Sequence, residues 1–395
     1  MINIKNLDVI FGDKPERALS LLDAGKEREE IRNETGLVVG VKNANISIQK
    51  GEICVLMGLS GSGKSSLLRC INGLNDTTRG SIEIEHNGSN VNLVTADADT
   101  LREVRMKRIS MVFQKFALMP WLTVAQNVAM PLELQGIDKK EIKQRVEVQL
   151  ELVGLKQWAK LKPHELSGGM QQRVGLARAL VTESDILLMD EPFSALDPLI
   201  RTQLQDELIQ LQEKLQKTII FVSHDLDEAL KLGTNIAIMK DGEIVQHGKP
   251  EEIVLNPAND YVKQFVAHTN PIHVLQAQSI MRPISEMSLK DNYYCLSKRH
   301  DYWLSEDQQQ VYYRGEEFTA QEWKVGDDIL QLTAAPTCVA ADTPMRDVME
   351  IRFHTDHSVF VMESTGELDH QEQVQGVVGD KELYHTLLGK MMLED

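Results

Sequence analysis

Two short stretches of this chain carry residues suited to holding phosphate. Gly58, Leu59, Ser60, Gly61, Ser62, Gly63, Lys64, Ser65 and Ser66 follow the apolar run Ile53-Cys54-Val55-Leu56-Met57 and precede Leu67-Leu68-Arg69-Cys70-Ile71, which has helical spacing. The order predicts a strand, a loop and a helix. Glycines in such a loop let backbone N–H groups turn inward around phosphate oxygens, and the helix N-terminus adds the positive end of its dipole. Lys64 would then reach the β- and γ-phosphates of a nucleotide, and Ser65 would place its hydroxyl on the bridging Mg²⁺. The second stretch, Leu166-Ser167-Gly168-Gly169-Met170-Gln171-Gln172, opens another helical pattern running from Met170 to Leu180. It is a second helix N-terminus with close backbone approach, again suited to an anion. One chain thus has two phosphate-facing helix ends.

Further chemistry lies at the ends of two apolar runs. Ile186-Leu187-Leu188-Met189 ends in Asp190-Glu191, and Thr218-Ile219-Ile220-Phe221-Val222-Ser223 ends at His224. In an open α/β sheet ligands sit beyond the carboxyl ends of the strands. Asp190 is therefore placed to hold Mg²⁺, and Glu191 to face an attacking water as general base.

The remainder of the chain must position these groups. With 395 residues, 42% apolar and 26% charged, it is long for one domain, and two are expected. No run approaches the roughly 20 apolar residues of a membrane-spanning helix. The N-terminal MINIKNLDVIFG lacks both a basic flank and an apolar signal core, so a cytoplasmic chain is expected. Cys54, Cys70, Cys295 and Cys338 are scattered without metal-ligand spacing, which reads as reduced thiols. From Met281 onward there are 22 Asp and Glu against 10 Lys and Arg, so −12 of the chain's net −17 lies in the tail. That balance disfavours nucleic acid and anionic lipid as main partners.

The ordered set GLSGSGKSS, Gln114 in MVFQKF, LSGGMQQ, LLMDEP, SALD and SHD resembles the ATP-binding subunits of ABC transporters over roughly the first 250 residues. The resemblance implies an α/β fold, an ABC-type P-loop ATPase domain over 1–270 with a helical subdomain about 115–170, working with ATP and Mg²⁺. By position, Gln114 resembles the glutamine that touches Mg²⁺ and the lytic water and senses the membrane subunit. Ser167, Gly168, Gly169 and Gln171 resemble the signature that contacts ATP held by the opposite protomer. Asp197 resembles the aspartate crossing the dimer seam, and His224 the histidine that meets the γ-phosphate and positions Glu191. Phe11 stands where an aromatic ring stacks on adenine, with a core position as the alternative.

Three features resemble a narrower group, the ATPase subunits of glycine betaine, proline betaine and choline importers, with the choline type nearest. They are the charged, helix-spaced segment Asp13 to Thr35, the wording of GLSGSGKSS and MVFQKFALMPWLTV, and a C-terminal extension. A homodimer at the cytoplasmic face of the inner membrane is implied, with a permease docked beside Gln114, where Met119 and Trp121 would serve as contacts, and a substrate-binding protein acting indirectly. Residues 271–395 would form a smaller α+β domain. The order helix, strand, strand, helix from Val339 to Leu388 resembles a CBS half-module, and Met281 to Glu322 would be its degenerate counterpart. Regulation by adenosine ligands or by ionic strength would follow from that likeness. A small β-barrel extension is the competing reading for the tail, and a soluble ATPase acting on nucleic acid or ribosomes the competing function.

Overall fold

In the computed structural model the described residues are 1–114, 117–194, 196–267, 272, 274–297, 301–306, 310–318, 320–362 and 374–387. Lys115, Phe116, Ala195, Leu388 and the expected boundary at 270–271 lie outside them. The chain divides into two compact units, Met1–Val266 and Ala267–Asp395. No helix among the described residues is long and apolar enough to cross a membrane.

The first unit holds two sheets. One has the order Glu243–Gly248, Asn235–Lys240, Ile53–Met57, Thr218–Val222, Ile186–Asp190, Ile109–Val112 and is parallel except for its Glu243–Gly248 edge. Its central strands Ile53–Met57, Thr218–Val222 and Ile186–Asp190 are buried along their whole length, which explains their uninterrupted apolar runs. The other is antiparallel, in the order Val38–Ile48, Ile2–Phe11, Arg79–His86, Ser89–Asn92. One core joins Ile4, Ile46 and Ile82 of that sheet to Leu67 and Leu68 of helix Lys64–Ile71 and to Leu56 and Leu188 of the parallel sheet.

The segment Asp13 to Thr35 forms the two expected helices, Glu16–Asp23 and Arg28–Thr35, whose Ala18, Leu22 and Ile31 pack against Ile10 and Val39. A separate core of Val128, Leu132, Val146, Leu150 and Val174 ties helices Val124–Leu134, Lys139–Leu152 and Gly168–Leu180 into the helical subdomain.

Among its described residues the second unit also has two sheets. Strand Thr337–Ala340 runs parallel to Val359–Met362, which pairs antiparallel with Val374–Val378, and helices Met345–Thr355 and Asp380–Leu387 complete the expected helix, strand, strand, helix order. The stretch read as a degenerate counterpart is instead largely an antiparallel meander of five short strands between Leu289 and Phe318. Short alternating strands were the mark of the competing reading, so the tail combines a β-rich half with a CBS-like half. Strands of two to five residues are too short for their alternation to stand out in sequence.

Candidate functional site

The parallel register sets the site. Leu56 pairs with Val222, and Val222 with Asp190, so three strands end level with one another. The chain continues from those ends as Gly58, Ser223 and Glu191, and the backbone stays linked there: Glu191 N donates to Val222 O at 3.2 Å and Ser223 N to Leu56 O at 3.1 Å. Motifs more than a hundred residues apart thus meet at one sheet edge.

The loop from Gly58 to Gly63 closes on itself. Lys64 is buried, and its Nζ donates to Gly58 O at 2.8 Å and Leu59 O at 3.0 Å. Burial pulls the Lys64 ammonium below its ordinary range, while Glu191 and Asp190 oppose that shift. A charge held this way gains strongly from an arriving polyphosphate. Gly58 has φ +142, and a side chain there would begin 2.1 Å from Met239 O. Leu59, Ser60 and Gly61 face outward, whereas Ser62 is buried with no hydrogen-bond partner for its Oγ among the described residues.

Around the loop stand the carboxylates. Ser65 Oγ donates to Asp190 Oδ1 at 2.7 Å, and Arg69 Nη2 donates to Asp190 Oδ2 at 2.9 Å. Arg69 was missed in the sequence; its position four residues after Ser65, on the same helix face, was the available signal. Glu191 adopts φ +46, an unusual backbone for a non-glycine residue and one that recurs at functional sites. Gln114 Nε2 donates to its Oε2 at 3.0 Å, and His224 Nδ1 lies 3.6 Å from the same oxygen. Beneath His224, Ser223 donates to the buried Glu228, which also accepts from Gln205 Nε2 at 3.0 Å. Burial raises the Glu228 carboxyl above its ordinary range, with both hydrogen bonds opposing. A side chain added to Gly40 would begin 2.5 Å from Phe11 Cε2 and 3.4 Å from Oγ of the half-buried Ser66. Phe11 is 39% exposed, so it is an accessible ring beside the loop rather than a core residue.

Ser167, Gly168, Gly169 and Asp197 gather elsewhere. Ser167 caps helix Gly168–Leu180, accepting from Met170 N at 3.4 Å, and Asp197 caps helix Pro198–Leu215, accepting from Ile200 N at 3.1 Å. Together they line a cavity of about 310 Å³ whose wall includes no residue of the phosphate loop. Gln171 points away from it, donating to Leu166 O at 3.2 Å. Gln172, one residue on, is buried and donates to Pro192 O, tying the signature helix to the turn after Glu191.

Near Gln114, Trp121 is 68% exposed and Met119 half-buried. The loop that presents them is held by Asn127, which is fully buried. Its Oδ1 accepts from Met119 N at 2.8 Å, and its Nδ2 donates to Met119 O, Leu122 O and Thr123 O at 3.2, 3.2 and 3.0 Å. Nothing in the sequence distinguishes this asparagine from an ordinary polar helix residue. A groove of about 630 Å³, lined by Ala129, Ile142, Val146 and Leu150 with Lys139 and Lys143 at its rim, opens on the same subdomain.

Residues 41–194 match the family model described as ABC transporter. The glycine betaine/proline betaine transport system ATP-binding protein ProV of Escherichia coli strain K12 is 53% identical over 281 residues, 71% of this chain and 69% of that protein. The choline transport ATP-binding protein OpuBA of Bacillus subtilis strain 168 is 44% identical over 227 residues, 57% of this chain and 58% of that protein. A solved dimeric structure of an ATP-binding cassette, in a post-hydrolysis state bound to ADP and Pi, matches with TM-score 0.53 at 32% identity, covering 63% of this chain and 99% of that one.

Proposed function

Because the chain belongs to the ATP-binding subunits of ABC transporters that serve glycine betaine, proline betaine and related osmoprotectant importers, we propose that it powers uptake of a betaine through a membrane permease. The chain hydrolyses ATP. Glycine betaine or proline betaine is the preferred cargo, since relatives named for them match at higher identity and over more of the chain than the one named for choline. Choline stands second. That preference rests on kinship.

The observation that carries the mechanism is the convergence of Gln114 and His224 on one oxygen of Glu191, beside the buried Lys64. Lys64 and the loop N–H groups would hold the triphosphate, with Phe11 against adenine. Ser65 and Asp190 offer adjacent oxygen donors, the type Mg²⁺ takes, and Mg²⁺ there would neutralise charge on the β- and γ-phosphates. Glu191 would accept the proton of the attacking water, Gln114 would orient that water, and His224 would hold the carboxylate and meet the γ-phosphate.

Ser167, Gly168, Gly169 and Gln171, with Asp197 across the seam, would complete the site of a second copy, making a homodimer with two composite sites. The dimer would sit at the cytoplasmic face of the membrane. Trp121 and the apolar groove of the helical subdomain would receive a helix of the permease.

Glu191→Gln tests the chemistry. It keeps the shape but removes the base, so turnover falls about 10²–10⁴-fold while ATP affinity stays near wild type and a dimer accumulates. Wild-type turnover would sink the assignment. Uptake of labelled glycine betaine and choline, in cells lacking their own importers and carrying this chain with its co-purifying membrane subunit, decides the cargo.

A further inference from the structure

The strand that delivers the phosphate loop carries a second cluster at its other end. Glu52, immediately before that strand, and Cys54 within it are two residues apart, so extended chain turns both side chains to one side. Cys54 pairs with Asn235 and Leu56 with Ala237 on the neighbouring strand, and Ala237 pairs with His247 on the edge strand beyond. All these positions lie on the same face, where the strand between Cys54 and His247 presents Asn235 opposite Cys54 and the small Ala237 opposite His247. One ligand atom each from the Glu52 carboxylate, Cys54 Sγ and the His247 ring lie within 4.8 Å of one another.

Two of the three groups are left unsatisfied. Glu52 is 7% exposed; its Oε2 accepts from Gln49 N at 2.7 Å, but Oε1 has no hydrogen-bond partner among the described residues, nor has His247 Nε2. Buried polar atoms are seldom left this way without a ligand to meet them. Burial holds His247 below its ordinary range, which keeps the imidazole in the neutral form that binds metals, and pushes the Cys54 thiol far up.

We propose that Glu52, Cys54 and His247 bind a zinc-type divalent cation, clipping the strand before the phosphate loop to the edge strand Glu243–Gly248. A thiolate, an imidazole and a carboxylate form a zinc ligand set, whereas Mg²⁺ and Ca²⁺ take oxygen donors. With bonds of about 2.0–2.3 Å, tetrahedral ligand atoms stand roughly 3.5 Å apart, so closure from the present spacing needs at most about 1.3 Å. Cys54 gives its proton to solvent on binding, and the cation's charge replaces the desolvation cost of the thiolate. Water takes the fourth position. The clip lies at the far end of the strand from the nucleotide and leaves hydrolysis to the groups already described.

The test uses the full chain, stripped of metal by a chelator and free of nucleotide, titrated with Co²⁺ and then with Zn²⁺ as competitor. Wild type shows a thiolate-to-cobalt charge-transfer band and tetrahedral visible bands, both displaced by Zn²⁺. Cys54→Ser loses the charge-transfer band although Cys70, Cys295 and Cys338 remain. Zn²⁺ also raises the thermal midpoint of wild type, as any ligand of the folded state does. His247 is only partly buried, so His247→Gln folds even if the Cys54 variant does not. It weakens Zn²⁺ at least about 100-fold, beyond what changes outside the ligand shell cause, with Mg-ATP hydrolysis within about twofold of wild type. Absence of the charge-transfer band in wild type, its persistence in Cys54→Ser, or unchanged zinc affinity in His247→Gln overturns the assignment.

Discussion

Two glycines of one loop differ in what a methyl group would meet. At Gly58, φ is +142 and an added Cβ begins 2.1 Å from Met239 O and 2.7 Å from Ser62 Oγ. At Gly61, φ is +80 and nothing lies within 4 Å. Gly61→Ala therefore costs only the left-handed backbone, about 1–2 kcal/mol. Gly58→Ala adds a clash with a backbone carbonyl that cannot rotate away, so about 1–3 kcal/mol of strain joins about 1–3 kcal/mol of overpacking. For a unit of this size each kcal/mol moves the midpoint by about 2–4 °C, giving a fall of roughly 4–24 °C for Gly58→Ala and roughly 2–8 °C for Gly61→Ala. Scanning calorimetry of the nucleotide-free protein, following the transition that ATP shifts upward, measures both. Gly58→Ala must also loosen ATP, because the backbone that moves carries the carbonyl holding Lys64 at 2.8 Å. Equal midpoints for the two variants, or wild-type ATP affinity in Gly58→Ala, would refute this account of the loop.

Asn127→Ala removes one accepted hydrogen bond and two amide N–H donors shared among three carbonyls, so the midpoint falls by an amount equivalent to about 1.5–4.5 kcal/mol. Permease-stimulated hydrolysis should fall more than the basal rate, as a comparison of ATPase activity with and without the membrane subunit would show. Trp121→Ala, at an exposed position, should leave the midpoint unchanged and reduce co-purification of the permease. Phe11→Ala should weaken ATP by about 2–12-fold, equivalent to about 0.5–1.5 kcal/mol of lost stacking, measured by nucleotide titration. For Glu228 the folded pKa lies above the unfolded one, so burying it carries no penalty below the unfolded value, a growing one between the two, and the full one above both. Denaturant midpoints should show Glu228→Gln gaining on wild type as pH rises through and above the ordinary carboxylate range; a difference that stays flat with pH would count against a buried, titrating Glu228.

What the sequence determined alone is whatever contiguous residues encode. The phosphate loop, the capping serine of the signature helix and the fully buried parallel strands each depend on neighbours within about ten positions, because turn geometry, capping and hydrophobic runs are local. The helices Glu16–Asp23 and Arg28–Thr35, within the helix-spaced Asp13 to Thr35 segment, were legible for the same reason. Motif order extended the reading to Gln114, Asp190, Glu191 and His224 through resemblance, without distances. Only the tertiary structure decided that strand register brings Gln114 and His224 to one oxygen of Glu191, that Arg69 joins Ser65 on Asp190, and that Ser167 and Asp197 share a cavity apart from the loop. It also separated Gly58 from Gly61 and set His247 beside Cys54, contacts between residues more than 180 positions apart. Strand pairing across the sheet settles such contacts, and no local pattern of residues records which strands will be neighbours.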